Sequence, residues 1–164
     1  MQEVAHFSDQ ISLDRIKTLR KEIQTDVESI FLEAWSRDLF FRISQAFRSP
    51  KDQHELFRIG RDIKGKIVTK SDSWESWHNY GLAFDIVLLS KDKKSVIWDV
   101  KADLNKNLIP DLVEFVEIAK KHGFKWGGEF KTFIDRPHFE KTFGLKIAYM
   151  KKQAFLGKLE QIKI

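Results

Sequence analysis

Two short segments hold the residue types that could do chemistry. In SWHNYGLAFD, residues 76–85, His78 precedes a glycine turn and Asp85 follows it on a strand-like run, seven residues after the histidine. An aspartate in an otherwise apolar strand is costly to bury unless it is paired or binds a cation. In DRPHFE, residues 135–140, His138 stands three residues after Asp135, and Pro137 fixes the backbone just before it. Two imidazoles and one carboxylate make a ligand set that leaves a tetrahedral zinc one open position, the arrangement of catalytic sites. Zinc lowers the pKa of its bound water, so a nearby acid must take that proton and pass it to a leaving amine, and Asp135 is placed for this. On pattern alone, an ion pair between Asp85 and one of the 29 Lys and Arg residues, with histidines satisfied inside a core, accounts for the same residues equally well.

Composition narrows the choices. The absence of cysteine excludes a disulfide scaffold, a thiol nucleophile and every cysteine-ligated metal site. Nitrogen ligands must come from five histidines: His6, His54, His78, His122 and His138. His6 and His122 lie near a chain or helix end and read as solvated or capping. HELFR, residues 54–58, has Arg58 where the HExxH zinc motif needs its second histidine. GGEF, residues 127–130, lacks the extra acidic residue of the diguanylate cyclase signature. The net charge is 29 − 24 = +5, which favours polyanionic partners such as nucleic acid, envelope polymers or anionic lipid without choosing among them. The segment MQEVAHFSDQ lacks the basic-then-apolar pattern of a signal peptide, and no apolar run approaches the roughly 18 residues of a membrane span. The expectation is synthesis in the cytoplasm without a signal peptide or transmembrane segment.

The elements that must position these residues read as a single α+β domain, a small antiparallel sheet with flanking helices. Apolar residues from 13 to 34 recur every three or four positions, predicting one amphipathic helix over about 12–35, with Ser8, Asp9 or Ser12 as its cap. LFFRISQAF, residues 39–47, reads as a strand, and Pro50 opens a helix to about Ile59. Residues 61–80 show no period and read as a long functional loop. GLAFDIVLL, residues 81–89, alternates with Asp85 on one face and Phe84 and Ile86 on the other, and forms a hairpin with residues 96–98. Pro110 opens a second helix that stops at Gly123, and residues 124–126 and 137–140 are short strands. Residues 1–144 read as the catalytic unit and 145–164 as a basic, helical C-terminal tail.

Residues 47–143 resemble the zinc peptidases of the D-alanyl-D-alanine carboxypeptidase superfamily, especially the L-alanyl-D-glutamate endopeptidases of phage endolysins and cell-wall hydrolases. The matching pieces are FRSPKDQHELFRIGR, GKIVTKSDSWESWHNYGLAFDIVL, VIWD and GFKWGGEFKTFIDRPHFE, with the two-part pattern SxHxxGxAxD and DxPHF intact. The resemblance implies the hedgehog-like metallopeptidase fold, a Zn2+ cofactor held by His78, Asp85 and His138, and Asp135 as general base and then acid. It implies that Arg48 stabilises the oxyanion, that Gln53 orders the site and counts among the substrate-binding residues, and that Ser76 hydrogen-bonds substrate. Trp77, Tyr80 and Trp126 either pack or line a substrate groove, with Trp126 the one assigned to substrate. Glu140, two residues beyond His138 on a strand, reads as a group orienting a ligand or as the acid in place of Asp135, and Glu129 ranks with it behind Asp135.

The implied activity is hydrolysis of the peptidoglycan stem peptide, at L-Ala–D-Glu ahead of the D,D-carboxypeptidase alternative, by a monomer acting at the bacterial cell wall. Nucleic acid is not an expected partner. A non-catalytic binder of wall polymer or nucleic acid would not need His78, Asp85, His138, Asp135 and Arg48 together. The Lys-rich tail either draws the enzyme to an anionic envelope or packs on the core.

Overall fold

The computed structural model describes residues 7–164, so His6 lies outside the described residues. The periodic stretch near the N-terminus forms two helices instead of one, α1 (Gln10–Ile16) and α2 (Lys21–Ser36). At the break the Thr18 hydroxyl donates to the Arg15 carbonyl at 2.7 Å, and the Arg20 amide donates to the Gly81 carbonyl at 2.9 Å, outside either helix. The apolar spacing runs through the break because Leu19, in the turn, is buried with Ile16 and Ile23. Periodicity reports burial and so does not register the turn.

Of the three candidate caps, Asp9 is the one used. Its carboxylate accepts from the Ser12 amide at 3.1 Å and from Arg42 Nη2 at 2.7 Å, tying α1 to the sheet. Burial works against this carboxylate, but hydrogen bonds from Arg42 and Ser12 outweigh it and hold its pKa below the ordinary value. A folded-state pKa below the unfolded one adds stability that is present above about pH 4 and is lost as pH falls through the folded value. Asp9→Asn is therefore expected to cost about 2 kcal/mol at neutral pH. In urea titrations the gap to wild type should narrow as pH falls below about 4. A gap that stays constant with pH would show that the pair contributes nothing.

The sheet comprises β1 (Phe41–Gln45), β2 (Ala83–Leu89), β3 (Val96–Ile97), β4 (Lys125–Trp126) and β5 (His138–Glu140), all pairings antiparallel, in the order β1-β2-β5-β4 with β3 also paired to β2. Asp85 pairs with Gln45 on one side and His138 on the other, while Leu88 pairs with Phe41 and Ile97, so β3 and β5 share the β2 edge opposite β1. Strand alternation splits the sheet into two faces. Phe84 and Phe139 point into the core and stack at 5.5 Å, joined edge-on by Phe115 of α4 (Asp111–Lys121), which in turn meets Phe31 of α2. Asp85 and His138 stand on the other face. The expected small antiparallel sheet with flanking helices is what the chain forms.

The remaining helices are α3 (Pro50–Arg58) and α5 (Ile147–Phe155). Residues 145–164 do not form a separate tail. Met150 and Ile162 are buried in the same core, Leu145, Ile147, Leu159 and Ile164 pack against it, and Arg20 donates to the Leu159 and Ile162 carbonyls. A boundary at 144 therefore cuts through one body, and the basic side chains of this segment decorate a packed element. Among the described residues no helix is long and apolar enough to cross a membrane.

Candidate metal centre

Asp85 and His138 face each other across the β2–β5 pairing, which brings their side chains together on one sheet face. His78 reaches them from a 3-10 turn, Trp77–Tyr80, that enters β2 through Gly81. Ser76 caps this turn by accepting the His78 amide at 3.3 Å, and Asn79 answers with its own bond to the Ser76 amide. Gly81 has φ +66°, and a Cβ there would lie 2.8 Å from the Arg20 amide nitrogen, so glycine is required by both conformation and space.

His78 Nε2, Asp85 Oδ1 and His138 Nδ1 lie 3.0–3.1 Å from one another. The outer nitrogens are already engaged: His78 Nδ1 donates to the Ala46 carbonyl at 2.7 Å, and His138 Nε2 donates to Glu140 Oε2 at 3.0 Å. Those bonds place the ring protons on the far side and turn a lone pair of each imidazole toward Asp85. Three acceptors then converge on one point, an arrangement that repels itself unless a cation sits among them. A tetrahedral shell with bonds of about 2.1 Å has edges of about 3.4 Å, close to the spacing here, so the donor set fits a small divalent metal. Burial opposes the Asp85 charge, but His78 and His138 outweigh it and hold its pKa far below the carboxylate range. With no metal in place a second proton on His138 takes the cation's part: burial would lower its pKa, yet bonds from both ring nitrogens to Asp85 and Glu140 raise it to about 9, and a metal ion binds by displacing the Nδ1 proton.

Arg48 follows β1, where its amide donates to the His78 carbonyl at 3.1 Å. Its Nη2 stands 3.7 Å from Asp85 Oδ2, its Nη1 donates to Gln53 Oε1 at 2.9 Å, and its buried Nε has no partner among the described residues. Gln53 is fully buried on α3 and does not line the cleft, contrary to its assignment to substrate. It holds Arg48 and ties down the long loop by donating to the Ser71 carbonyl at 2.7 Å. Asp135 lines the same cleft as His78, Asp85 and His138. Burial, then the charge of Asp85, raise its pKa, with His138, His78 and Arg48 pulling the other way. The Asp135 amide donates to the Gly127 carbonyl at 2.9 Å, and a Cβ on Gly127 would collide with the Asp135 carbonyl oxygen, so the glycine turn lets this segment close over the site.

Ser76 both caps its turn and lines the cleft. Trp126 does not line it: the indole packs on the core and its Nε1 donates to the Arg136 carbonyl at 2.7 Å, bracing the segment that carries Asp135. Glu140 borders the cleft but its carboxylate is taken up by His138 Nε2, and Glu129 is exposed and paired with Lys120 at 2.5 Å, so neither competes with Asp135 as the cleft's proton-transfer acid. The cleft measures about 610 Å3, and its wall includes Lys70, Trp98 and Phe133, none of which the sequence singled out. Trp98, 77% exposed, lies just past the hairpin, where an unburied aromatic in VIWD was the available signal.

Residues 69–141 match the family model described as D-alanyl-D-alanine carboxypeptidase. The chain is 45% identical over 118 residues to the peptidoglycan L-alanyl-D-glutamate endopeptidase CwlK of Bacillus subtilis, a match covering 72% of this chain and 70% of that protein. It is 35% identical over 71 residues to an L-alanyl-D-glutamate peptidase of a Listeria phage, covering 43% of this chain and 22% of the phage protein. The fold is similar to the crystal structure of the Serratia marcescens L-Ala D-Glu endopeptidase ChiX, with a TM-score of 0.53 at 23% identity over 81% of this chain and 87% of that one. With 45% identity to CwlK over 118 residues, a family-model match over residues 69–141 that holds both histidine motifs, and a metal-fitting His/Asp/His set in the cleft, the chain belongs to the D-alanyl-D-alanine carboxypeptidase family of metallopeptidases.

Proposed function

We propose that this chain is a zinc peptidase that cuts the peptidoglycan stem peptide between L-Ala and D-Glu. The observation that carries this reading is the meeting of His78, Asp85 and His138 with Asp135 and Arg48 in one cleft, in a chain 45% identical to an L-alanyl-D-glutamate endopeptidase. Two imidazoles and one carboxylate suit zinc, which when bound polarises a carbonyl and lowers the pKa of water.

The protein's own groups supply the rest. Asp135 takes the proton of the attacking water and returns it to the leaving amine. Arg48, fixed by Gln53, sets positive charge beside the reacting carbonyl, where negative charge develops only in the transition state. Glu140 and the Ala46 carbonyl fix the ring orientations of His138 and His78. Ser76, its backbone duty met by an accepted bond, keeps its hydroxyl proton for a substrate carbonyl.

Dialysis against a chelator is expected to abolish hydrolysis of purified peptidoglycan, and one equivalent of Zn2+ should restore it. Full activity of protein shown by elemental analysis to hold no metal would overturn the zinc assignment.

A further inference from the structure

Two cations line the cleft, Arg48 and Lys70. Arg48 is committed to Gln53 and Asp85. Lys70 is exposed, makes no ion pair among the described residues, and uses one of its three N–H groups, on the Thr132 carbonyl at 3.1 Å. Although it sits in the long loop, its position is fixed from both sides. Gln53 donates to Ser71 O at 2.7 Å and to Thr69 Oγ1 at 3.4 Å while accepting from Arg48, so the residues flanking Lys70 hang from the same side chain that places Arg48 beside Asp85. The Lys70 ammonium also lies 5.6 Å from the centre of the Phe133 ring, on the segment leading to Asp135. The cleft's acidic groups, Glu75, Asp85, Asp135 and Glu140, would repel an anionic substrate, which makes an unpaired cation on that wall a recognition element.

The chemistry of the bond supplies the ligand. In the stem peptide D-Glu continues the chain through its γ-carboxyl, so the carbon bearing the scissile nitrogen also bears a free α-carboxylate. Its charged oxygens are three bonds from the nitrogen that leaves, so cleavage brings the carboxylate close to the metal site. We propose that Lys70 binds this α-carboxylate on the leaving side of the scissile bond and is a determinant of specificity for D-Glu over its α-amide. The proposal rests on the reading that the enzyme cuts at L-Ala–D-Glu.

The test uses two synthetic substrates, N-acetyl-L-Ala-γ-D-Glu-L-Lys-D-Ala and the same peptide with the α-carboxyl as a carboxamide. Wild type should prefer the acid. Lys70→Met should lower kcat/KM on the acid about tenfold or more, the value of a charge-assisted hydrogen bond, and change the amide by less than about twofold. Lys70→Arg should keep the preference. Equal loss on both peptides would reduce Lys70 to a prop for the Thr132 carbonyl and overturn the proposal, as would a wild type indifferent to the α-group. Failure of wild type to cut either peptide would instead remove the reading beneath it.

Discussion

His138→Ala is expected to bind no stoichiometric zinc and to hydrolyse stem peptide at less than about one-thousandth of the wild-type rate, because the pKa shift that makes water reactive at neutral pH vanishes with the ion. The substitution removes one of three ligand atoms and leaves the carboxylate of Glu140, buried behind the ring, without its partner. That unpaired group costs about 1–3 kcal/mol, which the rest of the core tolerates, since Phe139 keeps its stack on Phe84. Circular dichroism should show a folded protein and elemental analysis an empty one. Retention of a full equivalent of zinc would mean that His138 is not a ligand.

Asp135→Ala is expected to separate catalysis from metal binding. Asp135 lines the cleft but is not among the three converging ligand atoms, so zinc content should stay at one equivalent while kcat falls about 100- to 10,000-fold, the range for loss of a positioned acid–base group. Glu140→Gln should give the reverse pattern. Its carboxylate touches the far nitrogen of His138, so zinc affinity should weaken about 10- to 100-fold, with the rate recovering as zinc is added. If Asp135→Ala kept wild-type kcat, or lost its zinc, the proton-transfer role would belong elsewhere.

Much of this site was legible before any coordinates. Strand alternation placed Asp85 opposite the core face carrying Phe84 and Ile86, and DRPHFE put His138 and Glu140 on one strand face, where they lie. That His78, Asp85 and His138 meet could be read because each sits on or beside a regular element whose period fixes side-chain direction. What was not legible depends on contacts between distant segments. The turn at Thr18–Arg20 is decided by Gly81, some sixty residues away, and the burial of Met150 and Ile162 by a core built from the other end of the chain. The motif that holds Arg48 groups Gln53 with the substrate-binding residues. Only the path of residues 69–71 over α3 turns its amide inward. Trp126 and Lys70 exchange roles for the same reason: the indole finds the Arg136 carbonyl, while the long loop carries Lys70 to the cleft.

The central claim is a bond, and mass spectrometry of purified peptidoglycan after digestion reads it directly, with Asp135→Ala as the control. Wild type should release fragments with new N-termini at D-Glu, and the control should release almost none. Loss of only a terminal D-Ala would assign the metal centre to a D,D-carboxypeptidase instead, and an undigested wall would contradict the peptidase reading altogether.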